Sequence, residues 1–213
     1  MGDHDRKIIL GADSDPFSEH SHMCLIYDDD EERKKIMSQF VAGGLAAGAR
    51  VCYFADSTPL EEVRKWGEGV SVDGMEDGEG GALQLFSTES IYYPDGEFDP
   101  NRMLELVRTL CARALNEGYA GVRGTGETSW WLKAIPGAER LLEYEAQLND
   151  ICRTGSLTAV CQYDARRLNG AALLNVLRVH PMMIVHGQIV RNPYYVSPGQ
   201  YLKNFGPTGE ASG

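Results

Sequence analysis

Short, doubly apolar segments alternate along this chain with longer segments whose apolar residues recur at helical spacing. That alternation constrains the fold more than any other feature of the sequence. His22, Cys24 and Ile26 alternate with Met23, Leu25 and Tyr27, and both sets are largely apolar. Such a run suits a strand covered on both faces of a sheet. Val51-Cys52-Tyr53-Phe54-Ala55, Leu83-Gln84-Leu85-Phe86, Gly121 to Glu127 and Leu157 to Tyr163 read the same way. Between them lie amphipathic stretches: Ile36, Met37, Phe40, Val41 and Leu45; Leu60, Val63 and Trp66; Met103, Leu104, Val107, Leu110, Cys111, Ala114 and Leu115; and Leu141, Leu142, Glu145, Leu148, Ile151 and Cys152. Residues 170–179 predict a short helix, and His186-Gly187 between two apolar runs predicts a two-residue hairpin. The order predicts an α/β domain of three layers, a mostly parallel sheet with flanking helices that ends in an antiparallel hairpin.

With 213 residues and no internal linker, one domain is the expected count. Residues 1–18 read as a flexible N-terminal arm, 19–197 as the domain and 198–213 as a flexible tail. The glycine- and acid-rich stretch 67–81 reads as a surface loop. No apolar run approaches the roughly 20 residues of a membrane span, and no secretory signal opens the chain. Five widely spaced cysteines read as reduced thiols, so a cytoplasmic location is expected. A net charge of −11 argues against direct binding to nucleic acid.

The acid is concentrated where chemistry would otherwise be sought. Residues 1–100 hold 8 Lys/Arg against 22 Asp/Glu. Part of that excess, Asp28-Asp29-Asp30-Glu31-Glu32, stands at the junction of the first long strand and its helix. A phosphate loop there would need glycines and a lysine, so no nucleotide is expected. The acidic run reads as a helix start matched to the helix dipole. Gly124-Thr125-Gly126 lacks the third glycine of a dinucleotide fingerprint and reads as a tight turn.

His20-Ser21-His22-Met23-Cys24 is the best local constellation. Residues 20, 22 and 24 of an extended strand share a face, so imidazole and thiolate could converge on a ligand or a metal such as Zn, Fe or Cu(I). The alternatives for His22 and Cys24 are a hydrogen-bonded core histidine and a small core hydrophobe. Glu127 and the Gln162-Tyr163-Asp164 segment sit at predicted strand ends, where α/β folds place ligands. Glu127 either orients a small polar or cationic group beside Trp130, or caps the next helix, or pairs with Arg123 or Arg166. Without GxSxG, or an acid–base pair with a positioned nucleophile, no enzyme is expected.

Five motifs in order extend this reading. His22-x-Cys24-x-x-Tyr27, Val51-Cys52-Tyr53-Phe54, Gly126-Glu127-Thr128-Ser129-Trp130, Cys161-Gln162-Tyr163-Asp164, and His180-Pro181 with Ile184, Gly187 and Asn192-Pro193-Tyr194-Tyr195 resemble the MEDS (methanogen/methylotroph, DcmR sensory) domain family. The resemblance implies a degenerate RecA/KaiC-like fold without the phosphate loop. It also implies a sensory domain of prokaryotic signal transduction and transcription regulation, responding to small hydrocarbon derivatives such as methylated or halogenated one-carbon compounds. The His-x-Cys pair, here His22 and Cys24, is implied to contact ligand or metal. A non-catalytic ligand sensor is therefore expected, with His22, Cys24, Tyr27, Tyr53, Glu127, Trp130 and Tyr163 at the ligand. It would work alone or as a homodimer, signalling to a kinase or a transcription or sigma-factor regulator. Two other readings stand beside it: a metal- or haem-dependent redox or gas sensor using His20, His22 and Cys24, and a degenerate ATPase-like protein-interaction module.

Overall fold

The computed structural model describes residues 7–8, 17–18, 20–68 and 81–206. Two short strands, β1 (Lys7–Ile8) and β2 (Phe17–Ser18), pair antiparallel within the stretch expected to be a flexible arm; the rest of that stretch lies outside the described residues. So do residues 69–80 of the acidic loop. The domain proper runs β3 (His22–Tyr27), α1 (Asp30–Ala46), β4 (Arg50–Ala55), α2 (Leu60–Trp66), β5 (Leu83–Ser87), α3 (Thr88–Tyr92), α4 (Pro100–Asn116), β6 (Val122–Glu127), α5 (Leu141–Thr154), β7 (Leu157–Asp164), α6 (Gly170–Val179), β8 (Met182–Val185), β9 (Gln188–Arg191) and α7 (Pro198–Phe205).

Seven strands form one sheet in the order β5-β4-β6-β7-β3-β8-β9. All neighbours are parallel except β8 and β9, which close the sheet as an antiparallel hairpin. Helices α1 and α2 cover one face, packing Ile36, Met37, Phe40, Val41 and Val63 on Met23, Leu25, Val51, Tyr53 and Val160. Helices α4, α5 and α6 cover the other, over Cys52, Phe54, Val122, Ala159, Cys24 and Tyr163. This is the three-layer α/β architecture that the alternation predicts.

Local chemistry explains where the elements begin and turn. Asp29 caps α1, its carboxylate accepting from the Glu31 and Glu32 amides, so the acidic run is a helix start. Asp99 caps α4 in the same way ahead of Pro100. His186 and Gly187 both adopt positive φ (48° and 74°), the geometry of a two-residue hairpin turn. Residues 198–205, expected to fray, instead form α7: Pro198 opens the helix and Tyr201 buries itself against α5 and α6. Leu202 packs on the same cluster, and Phe205 lies against Tyr201 and under the Arg178 guanidinium.

Gly137 makes the turn that brings the segment after β6 back to α5. Its φ of 81° is left-handed, and a Cβ there would collide with the Phe98 carbonyl. Gly137→Ala should cost at least about 2 kcal/mol, read as a lower urea midpoint at unchanged slope. A neutral result would mean that this turn is not held in place by its packing on Phe98.

Candidate functional site

Because side chains alternate along a strand, each central strand sends chemistry to both faces of the sheet. On the face covered by α1, Glu127 at the end of β6 receives a dense set of donors. Its Oε2 accepts from the amides of Asp56 (3.0 Å), Ser57 (2.6 Å) and Thr58 (3.1 Å) and from the Ser57 hydroxyl (2.8 Å). Its Oε1 accepts from the Tyr53 hydroxyl (2.9 Å) and from Arg33 Nη1 (3.3 Å). Arg33 also donates to Gln162 Oε1 and Thr58 Oγ1, and Gln162 donates to Thr125 Oγ1. Burial pushes the Glu127 carboxyl up, but the Thr58 and Ser57 hydrogen bonds and the Arg33 charge hold it below its ordinary value. This carboxylate is saturated. It organises the strand ends and ties the β4–α2 loop to them.

The other face holds a second buried carboxylate under different conditions. Glu145 lies on the inner seam of α5, 1% exposed, opposite His22 at the start of β3, Cys161 in β7 and His180 just after α6. Glu145 Oε2 is 3.0 Å from His22 Nε2, 3.2 Å from Cys161 Sγ and 3.6 Å from His180 Nε2. Its Oε1 accepts from the Tyr163 hydroxyl at 3.2 Å. His22 Nε2 is 3.4 Å from Cys161 Sγ, and the two imidazole centroids are 4.2 Å apart. The outer nitrogens are held as well: His180 Nδ1 lies 2.8 Å from the Val176 carbonyl, and His22 Nδ1 lies 3.3 Å from Asn149 Oδ1. Burial and the neighbouring His180 lower the His22 pKa, against the opposing pull of Glu145. Burial would raise the Glu145 carboxyl, yet the bonds from His180 and His22 hold it well below the ordinary range. Burial and then Glu145 push the Cys161 thiol well up.

Two openings flank this cluster. An open cleft of about 660 Å³ reaches His22 from the side of His20, Asn149, Arg153, Arg191 and Tyr195. Between the sheet and helices α4 and α5 lies a small cavity of about 30 Å³, floored by Gly124 and Gly126 and walled by Phe54, Tyr92, Tyr144 and Cys161. On this face β6 presents two glycines, so the sheet itself supplies the missing volume.

The residues singled out from sequence are thus distributed over several places. His22 and Tyr163 meet at Glu145, while Tyr53 and Glu127 meet on the opposite face. Glu127 pairs with Arg33, and not with Arg123 or Arg166. Trp130 is not beside it: the indole packs in an aromatic group with Tyr92 and Phe98, at 4.9 and 5.1 Å. Tyr27 lies under the guanidinium groups of Arg33 and Arg166. Cys24 shares the face of His22, but its Sγ approaches the Met182 carbonyl at 3.8 Å, and burial pushes its pKa up to about 12. Its surroundings are those of a core thiol. His20 adopts φ 71° at the cleft, outside the group of converging donors. Glu145, Cys161 and His180 were missed as site residues. Cys161 and His180 stand in two of the five motifs of the resemblance, and the signal for Glu145 was a lone acid on an otherwise apolar helix seam.

Comparison with known proteins supplies the context. The family model described as "MEDS: MEthanogen/methylotroph, DcmR Sensory domain" matches residues 21–181. The chain is also similar to the transcriptional repressor DcmR of Methylorubrum extorquens (strain DSM 6343 / CIP 106787 / DM4), 23% identical over 167 residues. That alignment covers 76% of this chain and 58% of the repressor, so the chain spans little more than half of its relative. No helix among the described residues is long and apolar enough to cross a membrane.

The saturated carboxylate generates a stability prediction. Glu127→Gln leaves Arg33 buried without its anion and should cost about 3 kcal/mol at pH 7. A carboxyl with a lowered folded pKa contributes its stability fully above its unfolded pKa of about 4.3 and loses it as pH falls through the folded value. Urea titrations should therefore show the gap between wild type and Glu127→Gln constant from pH 7 to 5 and narrowing below about 4.3. A gap independent of pH would mean that the charge contributes nothing.

Proposed function

The chain belongs to the MEDS domain family, and from that premise we propose that it is a non-catalytic sensory domain of prokaryotic gene regulation. Its ligand is a small, largely apolar compound of the one-carbon or short-hydrocarbon class, held in the cavity above Gly124. The observation that carries this reading is the cavity itself. About 30 Å³ accommodates two or three water-sized atoms, the heavy-atom count of a methylated or halogenated one-carbon compound. Its walls are aromatic, aliphatic and thiol groups, which suit a weakly polar guest. Cys161 forms one wall, bonds to His22 on its other side and is the register partner of Cys24. A ligand there would touch the neighbourhood that the His-x-Cys motif marks without contacting either residue directly.

The regulatory output follows from the likeness to a transcriptional repressor. With a net charge of −11, this chain would act through a partner protein, a kinase or a transcription or sigma-factor regulator, or as a homodimer, and not by touching nucleic acid itself. Such a ligand moves that output only by binding one conformation better than another.

A guest of three heavy atoms can contribute at most about 4.5 kcal/mol, so Kd should be no tighter than about 0.5 mM. Binding should be followed by two-dimensional amide NMR, with dichloromethane and methanol as probes. Shifts should concentrate on Gly124, Gly126 and Cys161 and saturate in the millimolar range. A Cβ at Gly124 would sit 3.5 Å from Leu157 Cδ1, an ordinary contact, so Gly124→Ala should fold and weaken binding at least tenfold. Full binding by Gly124→Ala, or no saturable shift with either probe, would remove the cavity as the sensing site.

A further inference from the structure

The Glu145 cluster poses a problem of donors and acceptors. Asn149 Nδ2 is committed to the carbonyls of Glu145, Ala146 and Val179, at 3.2, 3.1 and 2.8 Å. Its Oδ1 therefore faces His22, and His22 Nδ1 must be the donor of that pair. His180 Nδ1 donates to the Val176 carbonyl. With both Nδ1 atoms engaged, both rings turn Nε2 toward Glu145 Oε2, at 3.0 and 3.6 Å. Cys161 brings one S–H to the same place, and it reaches either Glu145 or His22 at a time. His180 Nε2 is buried without a hydrogen-bond partner.

We propose that His22 Nε2, His180 Nε2, Glu145 Oε2 and Cys161 Sγ form a binding site for a divalent transition-metal ion of the zinc class. Among the described residues these four alone bring together at least three His, Cys, Asp or Glu donors in this way, all within 4.8 Å of one another. The separations of 3.0, 3.2, 3.4 and 3.6 Å lie close to the roughly 3.3–3.8 Å between donors on a tetrahedral zinc ion with 2.0–2.3 Å bonds. Two imidazoles, a thiolate and a carboxylate are the donor types zinc takes. The outer shell has the form that metal-bound histidines require: Asn149 and Val176 fix the tautomers, and Tyr163 holds the carboxylate oxygen that faces away. The cleft lined by His22 and Asn149 borders the cluster from outside. Binding replaces the S–H bond of Cys161 with a metal–sulfur bond, and the thiol proton leaves to solvent. The site differs from the expected His20, His22 and Cys24 set in keeping only His22, and it does not depend on the cavity holding a ligand.

The test uses the full chain, stripped with a chelator and then dialysed against one equivalent of Zn²⁺ or Co²⁺. One metal should remain per chain, and the cobalt form should show the charge-transfer band of a thiolate ligand. That band should survive Cys24→Ser and disappear in Cys161→Ser, with metal affinity at least tenfold weaker in Cys161→Ser and in His180→Gln. Should the variants fail to fold, the wild type still decides: Zn²⁺ but not Mg²⁺ should raise the thermal midpoint. Metal-free protein after dialysis, a midpoint indifferent to Zn²⁺, or a cobalt band lost in Cys24→Ser but kept in Cys161→Ser would each overturn the assignment.

Discussion

A carboxylate buried between a helix and a parallel sheet must be answered by whatever surrounds it, and the answer to Glu145 organises one side of this domain. Its partners come from β3, β7 and the end of α6, and it is itself on α5. Taking a bare carboxylate out of water costs several kcal/mol, so these elements hold together only while the charge is matched. Asn149, one turn further along α5, extends the same tie by capturing the Val179 carbonyl where α6 ends. The four elements are thus joined by polar chemistry beneath an apolar skin.

The opposite face solves the same problem in another way. Glu127 is buried too, but three consecutive backbone amides, a hydroxyl, a phenol and a guanidinium converge on it. Half of its donors are backbone amides of one loop, which have no other partner to turn to, so the arrangement is structural. Glu145 is answered by side chains alone, from three other elements, and the Cys161 thiol among them has two partners within reach. Two buried carboxylates on one sheet therefore have different characters: one is tied to a loop backbone, the other to side chains gathered from across the fold.

The fold was legible because strand and helix periods leave their mark on every residue of an element. The buried faces of α1, α4 and α5, the caps at Asp29 and Asp99 and the hairpin at His186-Gly187 all follow from local pattern. Helix α7 was not legible, since its apolar side is only Tyr201, Leu202 and Phe205 and follows a proline and a glycine. The site was half legible. A strand pattern places His22 and Cys24 on one face but says nothing of which atom each side chain meets. Cys161 becomes the partner of His22 only through the β3–β7 register, which brings together two residues 139 apart in the chain. Glu145 stood in the apolar stripe of α5, where an acid is costly, and that cost was its one local sign of chemistry.

Cys161 links the two halves of the functional reading. Its thiol is bonded into the Glu145 cluster, and it also forms a wall of the cavity that Gly124 and Gly126 leave open. Gly126 is compelled to be a glycine, because a Cβ there would lie 2.7 Å from the Tyr92 hydroxyl, whereas Gly124 has room for one. The unused space at Gly124 is therefore not demanded by packing. Close-packed interiors lose dispersion contacts around any void, so an optional cavity is a cost to stability. A guest would restore those contacts while pressing on the sulfur that faces His22 and Glu145. Occupancy of an apolar hole and the electrostatic state of a buried cluster would then be coupled through one atom.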